Sequence, residues 1–274
     1  MTFPSSPTPP TSLALYGFSF NGFNFGGAGS VYQVMSVDGV ESAPNLRVQD
    51  DNQGYNDGMF SGTDFYSERT ITLVLNIFGD VSNTAQANYH TLRASINPQQ
   101  TGTSYLQFKA SLDAGMQWVN ARVRKITTPI TPDYTYGLIT TVLELFCPDP
   151  RIYSGVPFTP NTASITVGGS ATVTNTGDVT TYPILTVTAA SAVSNLVISN
   201  STLGLSLTMK YGLSTSDVLI LNTLTRTITL NGVNARNILS SSSVWFGAQS
   251  GANTFAVTGT GTATTSVSWY SAII

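Results

Sequence analysis

Polar and apolar residues alternate along most of this chain. A period of two sends one side chain into a core and the next into solvent, as in a half-buried strand. Thr70 to Phe78 shows the alternation most clearly and is rich in β-branched residues, so it reads as a strand. Leu13 to Phe25 and Ser30 to Val37 read as two more, separated by Gly26-Gly27-Ala28-Gly29. No helix follows that glycine cluster, so it is a turn and not a phosphate-cradling loop. Ser104 to Ala110, Gln117 to Ile126 and Tyr136 to Phe146 complete the strand set. Only Thr84 to Ile96 has a helical period: Asn83 is placed to cap it, and Ala87, Leu92 and Ile96 face inward. The pattern up to Phe146 predicts a β barrel or sandwich carrying one helix.

The strand from Leu138 to Phe146 has to stop at Cys147-Pro148-Asp149-Pro150, because each proline lacks an N–H and biases its predecessor toward extended geometry. Beyond Tyr153 short apolar runs recur between turn signals: Gly168-Gly169, Asn175-Thr176-Gly177-Asp178, Asn200-Ser201, Gly212, Asn231-Gly232, Gly251 and Gly259-Thr260-Gly261. That rhythm predicts an antiparallel sandwich or jelly roll. The chain therefore divides into a Pro-rich arm over residues 1–12, with four prolines, a first domain over 13–150 and a second over 151–274.

Composition sharpens this picture. Hydrophobic residues make up 41% of the 274 and charged residues only 9%, well below the roughly 25% usual for globular proteins. The polar surface is consequently built from Ser, Thr, Asn and Gly, and a hydrogen-bonded hydroxyl is cheaper to bury than an ion. That suits a subunit of a permanent assembly. Through Arg151 there are 8 basic and 12 acidic residues, and beyond it 3 basic and 2 acidic, so neither part is a basic surface for gripping nucleic acid. The start has no basic or apolar run of the signal-peptide kind, and nothing later approaches eighteen unbroken apolar residues, so no membrane insertion is expected.

Candidate chemistry is sparse. Asp50-Asp51-Asn52-Gln53-Gly54-Tyr55-Asn56-Asp57-Gly58 is the densest set of oxygen ligands, but no glutamate stands at the twelfth position of an EF-hand frame, and it reads as a solvated loop. Cys147, the single cysteine, reads as a small buried apolar group, and His90, the single histidine, as packed or solvent-facing on the helix. The only acids of the second domain, Asp178 and Asp217, sit at turns, and Asn200-Ser201-Thr202 is a glycosylation pattern without a secretion signal. One cysteine and one histidine do not make a zinc site, and neither a nucleophile elbow nor a Walker lysine is present. No catalytic, cofactor-binding or metal-binding residue is assigned, and the chain reads as a non-enzyme. Arg122 and Arg124 share one strand face, with Lys125 beside them: a solvated face, or a contact for an acidic neighbouring subunit.

Two stretches, Phe146-Cys147-Pro148-Asp149-Pro150-Arg151-Ile152-Tyr153 and Asn175-Thr176-Gly177-Asp178 leading into Thr181-Tyr182-Pro183-Ile184-Leu185, resemble the distal tail proteins of long-tailed bacteriophages, the siphovirus tail component family. Asp57-Gly58, Glu68-Arg69-Thr70-Ile71-Thr72-Leu73, Gly79 and Tyr89-His90-Thr91-Leu92-Arg93 look like that family's first domain, although relatives often have Gly-Arg at Glu68-Arg69. Asn222-Thr223, Arg226-Thr227-Ile228-Thr229-Leu230-Asn231-Gly232, Trp245 and Gly251-Ala252-Asn253 look like its second. The resemblance implies a ring-forming first domain, a galectin-like second domain, and a structural protein of the virion tail tip, assembled in the host cytoplasm. It implies a homo-oligomer, expected to be hexameric, joining the tail tube to the baseplate. Its partners would be tail tube protein, tape measure or tail-tip hub proteins and receptor-binding proteins. DNA would pass through the channel without specific binding, and part of the first domain's acidic excess would line that channel. The alternative is a tail adhesin that holds carbohydrate on aromatics such as Trp245, Trp269 and Tyr270, although this domain lacks the His and Glu that galectins use and core packing is the default for both tryptophans.

Overall fold

The computed structural model describes residues 10–80, 84–98, 102–110 and 115–274. The protein is mainly β, and it divides into two compact units, one up to Pro157 and one over Phe158–Ile273.

In the first unit β1 (Gly17–Phe20), β2 (Phe23–Gly26) and β3 (Tyr32–Asp38) replace the two strands expected before Val37. Asn21 and Gly22 both take positive φ, 50° and 81°, and make a two-residue hairpin turn in which Phe20 pairs with Phe23. After β3 come four very short strands, β4 (Leu46–Arg47), β5 (Asp51–Asn52), β6 (Met59–Phe60) and β7 (Phe65–Tyr66), then the long β8 (Arg69–Phe78). Helix α1 (Ala85–Ser95) precedes β9 (Ser104–Lys109), β10 (Gln117–Thr127), β11 (Leu138–Cys147) and β12 (Ile152–Ser154). The strands run antiparallel in the order β2-β1-β9-β10-β11-β8-β3, with β12 beside β10. The sheet rolls toward closure, since Phe23 of β2 and Tyr32 of β3 bring their rings to 5.1 Å.

Alternation decides which face is the core. Ile71, Leu73, Leu75 and Ile77 of β8 are fully buried, and their partners on β11 are Leu145, Leu143, Thr141 and Ile139, also buried. Asn83, expected to cap the helix, lies outside the described residues; the cap is Thr84, whose Oγ1 accepts from the Ala87 N–H at 3.2 Å. The helix buries Ala85, Asn88 and Leu92, with Ile96 just beyond its end, so Ala87 is only half-buried and the stripe is set one residue away from the expected one. Asn88 belongs inside because its Nδ2 donates to the Phe78 carbonyl at 2.8 Å and its own carbonyl accepts from the Tyr32 hydroxyl. Of the Pro-rich arm, residues 10–12 are described, and the Pro10 carbonyl accepts from the buried Gln107 amide at 2.8 Å.

The second unit is a two-layer antiparallel sandwich. One sheet has the order β13 (Asn161–Thr166), β22 (Ala263–Trp269), β15 (Ile184–Ala189), β18 (Val218–Asn222), β19 (Thr227–Leu230) and β20 (Val233–Asn234). The other runs β14 (Ser170–Asn175), β21 (Gly251–Thr260), β16 (Ser194–Asn200) and β17 (Leu205–Thr208). Both sheets feed one core: Leu185, Leu219 and Val267 from the first meet Val173, Ile198, Leu207 and Phe255 from the second.

Candidate functional site

Residues 46–66 form an arm with no core of its own. The ladder β4–β7 and the ladder β5–β6 lie along a single antiparallel ribbon, with Gln53 to Gly58 at the tip. Between the ladders the two sides are laced by carboxylates: Asp64 accepts from the Gln49 N–H and Asp50 from the Gly62 N–H. A Cβ on Gly62 would run into the carbonyl of Gln49, so the close approach needs glycine there. The oxygen-rich segment 50–58, expected as a loop, is therefore the outer end of a hairpin. Every residue from Leu46 to Tyr66 is exposed except Asp50 and Gln53, which are partly covered. Seven of the 19 large exposed hydrophobics among the described residues are Leu46, Val48, Tyr55, Met59, Phe60, Phe65 and Tyr66. Such a concentration marks a contact surface, because a two-stranded ribbon cannot bury them itself.

Arg69 fixes the foot of the arm. It is 1% exposed and lies in phase with Ile71, Leu73 and Leu75 on the inward face of β8. Its Nη1 donates to the carbonyls of Gly39 at 2.7 Å, Ser42 at 2.6 Å and Val40 at 3.2 Å, and its Nε donates to Pro150 at 2.8 Å. One guanidinium thus ties the loop leading into the arm, and the proline segment that ends β11, to the same strand. Asp149 braces that segment by accepting from the Tyr153 hydroxyl at 2.6 Å and from Arg151 at 3.1 Å. Cys147 pairs with Arg69 across the strands and is fully buried; desolvation pushes its thiol up to about 12 despite the nearby guanidinium.

A second surface lies on β10. Its register with β11 shifts between Val123 and Lys125, so Arg124 is the extra residue of a bulge. Arg122 pairs with Phe146 before the bulge and Lys125 with Glu144 after it, and Phe146 and Glu144 share a face. The bulge therefore brings Lys125 onto the face of Arg122 and Arg124, which strict alternation would not do. The guanidinium carbons stand 5.0 Å and 3.6 Å from the Phe146 ring centre for Arg122 and Arg124, and Arg124 and Lys125 are exposed.

In the second unit the motif that opens it is a set of buried polar pins. Asn175 Nδ2 donates to the carbonyls of Val179 at 2.7 Å and Ala248 at 3.2 Å, and its Oδ1 accepts from Gly177 and Ala272. A Cβ on Gly177 would overlap the Ala272 carbonyl. Asn200 and Asn253, fully buried, bond each other and hold Gly247, Gln249 and Gly251. Thr181 donates to the Tyr270 carbonyl and Thr223 to that of Pro183.

The remaining candidates are not brought together. His90 is exposed on α1, with its ring 5.8 Å from Tyr89. Asp178 is exposed in the loop after β14, and Asp217 accepts from Asn231 Nδ2 and the Ser214 N–H, bonds that lower its pKa in that order. Trp269 is buried with its Nε1 donating to Thr174, Trp245 packs against the same core, and Tyr270 is half-buried. Asn200 of the glycosylation pattern is fully buried. Among the described residues there is no group of three or more His, Cys, Asp or Glu able to hold a metal, and no helix long and apolar enough to cross a membrane.

Residues 176–272 match the family model of the siphovirus-type tail component, C-terminal domain. Over 92% of this chain and 97% of the other, the fold matches the Dit protein of phage SPP1, a hub of the adsorption apparatus in phages that infect Gram-positive bacteria, with a TM-score of 0.67 at 17% identity. A chain of the phage P2 baseplate in its activated, Ca-containing conformation aligns with a TM-score of 0.46 at 7% identity, over 90% of this chain and 93% of that one. No curated protein matches the chain. Residues 176–272 are thus similar to the tail component's C-terminal domain, and the fold of the chain is shared with the Dit protein of phage SPP1, in line with the sequence resemblance.

Proposed function

We propose that this protein is a structural hub of a phage tail tip, a homo-oligomeric ring, hexameric by the family resemblance, that joins the tail tube to the baseplate or receptor-binding apparatus. The observation that carries the reading is the arm: a ribbon of seven exposed large hydrophobics on a rigid foot has no use in a lone chain and an obvious one in an assembly. The fold shared with the Dit hub of phage SPP1 supports the same role. In this reading the first unit makes the ring and its channel, through which DNA passes without specific binding, and the galectin-like second domain offers a docking surface for neighbouring tail proteins. The particle is its location, and the reading gives it no catalytic part.

The test is mass by light scattering on the purified full chain, with negative-stain images of the same fraction. A closed ring with a central hole is expected. A chain that keeps the mass of one copy at every concentration would overturn the self-assembling hub.

A further inference from the structure

The arm and the β10 face complement each other. Residues 46–66 carry Asp50, Asp51, Asp57 and Asp64 against one cation, Arg47, together with the exposed Met59, Phe60, Phe65 and Tyr66. The β10 face carries Arg122, Arg124 and Lys125 against one acid, Glu144, around the half-buried ring of Phe146. Three of the first unit's eight cations thus stand on one face, and four of its twelve acids stand on the arm. In the single chain the arm is exposed and so are Arg124 and Lys125, while Arg122, Glu144 and Phe146 are half-buried, so the arm and the two outer cations are both open to a neighbour.

We infer that the arm of one copy seats on the Arg122–Arg124–Lys125 face of the next copy, its aspartates against the cations and its aromatics against Phe146. The inference rests on the self-assembly proposed above and adds the two surfaces that meet. Because they are different surfaces, the contact is heterologous, and a heterologous contact repeated around an axis closes a ring where an isologous one stops at a dimer. The arm aspartates then face a neighbour and not the channel.

The experiment uses two full-length variants, Arg124→Glu with Lys125→Glu, and Asp51→Lys with Asp57→Lys. All four side chains are exposed, and neither aspartate is one of the two that lace the arm, so both variants are expected to melt at the wild-type temperature. Each alone sets like charges face to face, which costs several kcal/mol of association, and each is expected to run at the mass of one copy. Mixed in equal amounts they should assemble again, because the reversed face of one accepts the reversed arm of the other and the unreversed pair is already complementary. Variants that keep the wild-type mass, or folded variants whose mixture does not assemble, would overturn the pairing while leaving self-assembly standing. A wild-type chain that never assembles would remove the hub reading and the pairing with it.

Discussion

At the scale of single residues, the least replaceable side chain is Arg69. It satisfies four backbone carbonyls from inside the core, and two segments that are far apart in sequence depend on it. Arg69→Ala would leave those carbonyls without their donor, and a loss of about 3 kcal/mol or more is expected from urea unfolding, since bonds to a charged donor contribute about 1.5–3 kcal/mol each. Arg69→Lys should recover little of it, because an ammonium cannot reproduce the planar fork. A fall below 1 kcal/mol on Arg69→Ala would show that water takes over the carbonyls. Cys147 makes a different prediction. Its thiol is raised to about 12 by burial, so the folded protein holds it protonated. A group whose pKa is raised on folding contributes stability that is complete below its unfolded value, about 8.5, and is lost as the pH climbs toward the folded one. Native protein should therefore be silent to a thiol reagent at pH 8 and react fully in urea, and stability should decline above about pH 8.5; rapid labelling of native protein would contradict the buried placement.

At the scale of elements, the sequence pattern reads long alternating strands well and short or interrupted ones poorly. β8 and β11 were legible because both alternate over ten residues, and their termini follow from Pro148 and the neighbouring turns. The strand expected from Leu13 to Phe25 is two strands, and the missed signal was Asn21-Gly22, a hairpin dipeptide inside an apolar run. The arm was unreadable as a hairpin because its ladders are two residues long and its lacing comes from aspartate side chains. Alternation alone puts Arg122 and Arg124 on one face, and both guanidinium groups do lie over the Phe146 ring. The same alternation wrongly puts Lys125 on the opposite face, because the bulge inserts its extra residue without any glycine or proline to announce it. Arg69 could have been found: a cation in phase with Ile71, Leu73 and Leu75 points into the core and must find acceptors there.

At the scale of the whole molecule, the second unit contrasts with the first. It has its own closed core from both sheets, and its Asp, Glu, Lys and Arg side chains are only Asp178, Lys210, Asp217, Arg226 and Arg236. The outward positions of β13 and β22 are Thr162, Ser164, Thr166, Thr264, Ser266 and Ser268, hydroxyls that a protein partner can cover at little desolvation cost. Selective sugar binding asks for more, namely an open aromatic platform and fixed polar groups that converge beside it. Trp269 is buried with its Nε1 committed to Thr174, Trp245 is packed on the core, and the asparagines that converge are fully buried and spend their bonds on loop backbone. Expressed from Phe158 onward, this unit is expected to fold alone with one cooperative melting transition, and to give no signal above background on a glycan array. Folding with a dose-dependent signal for one sugar class would turn the choice to the adhesin, because a hub needs only a surface that other proteins can cover.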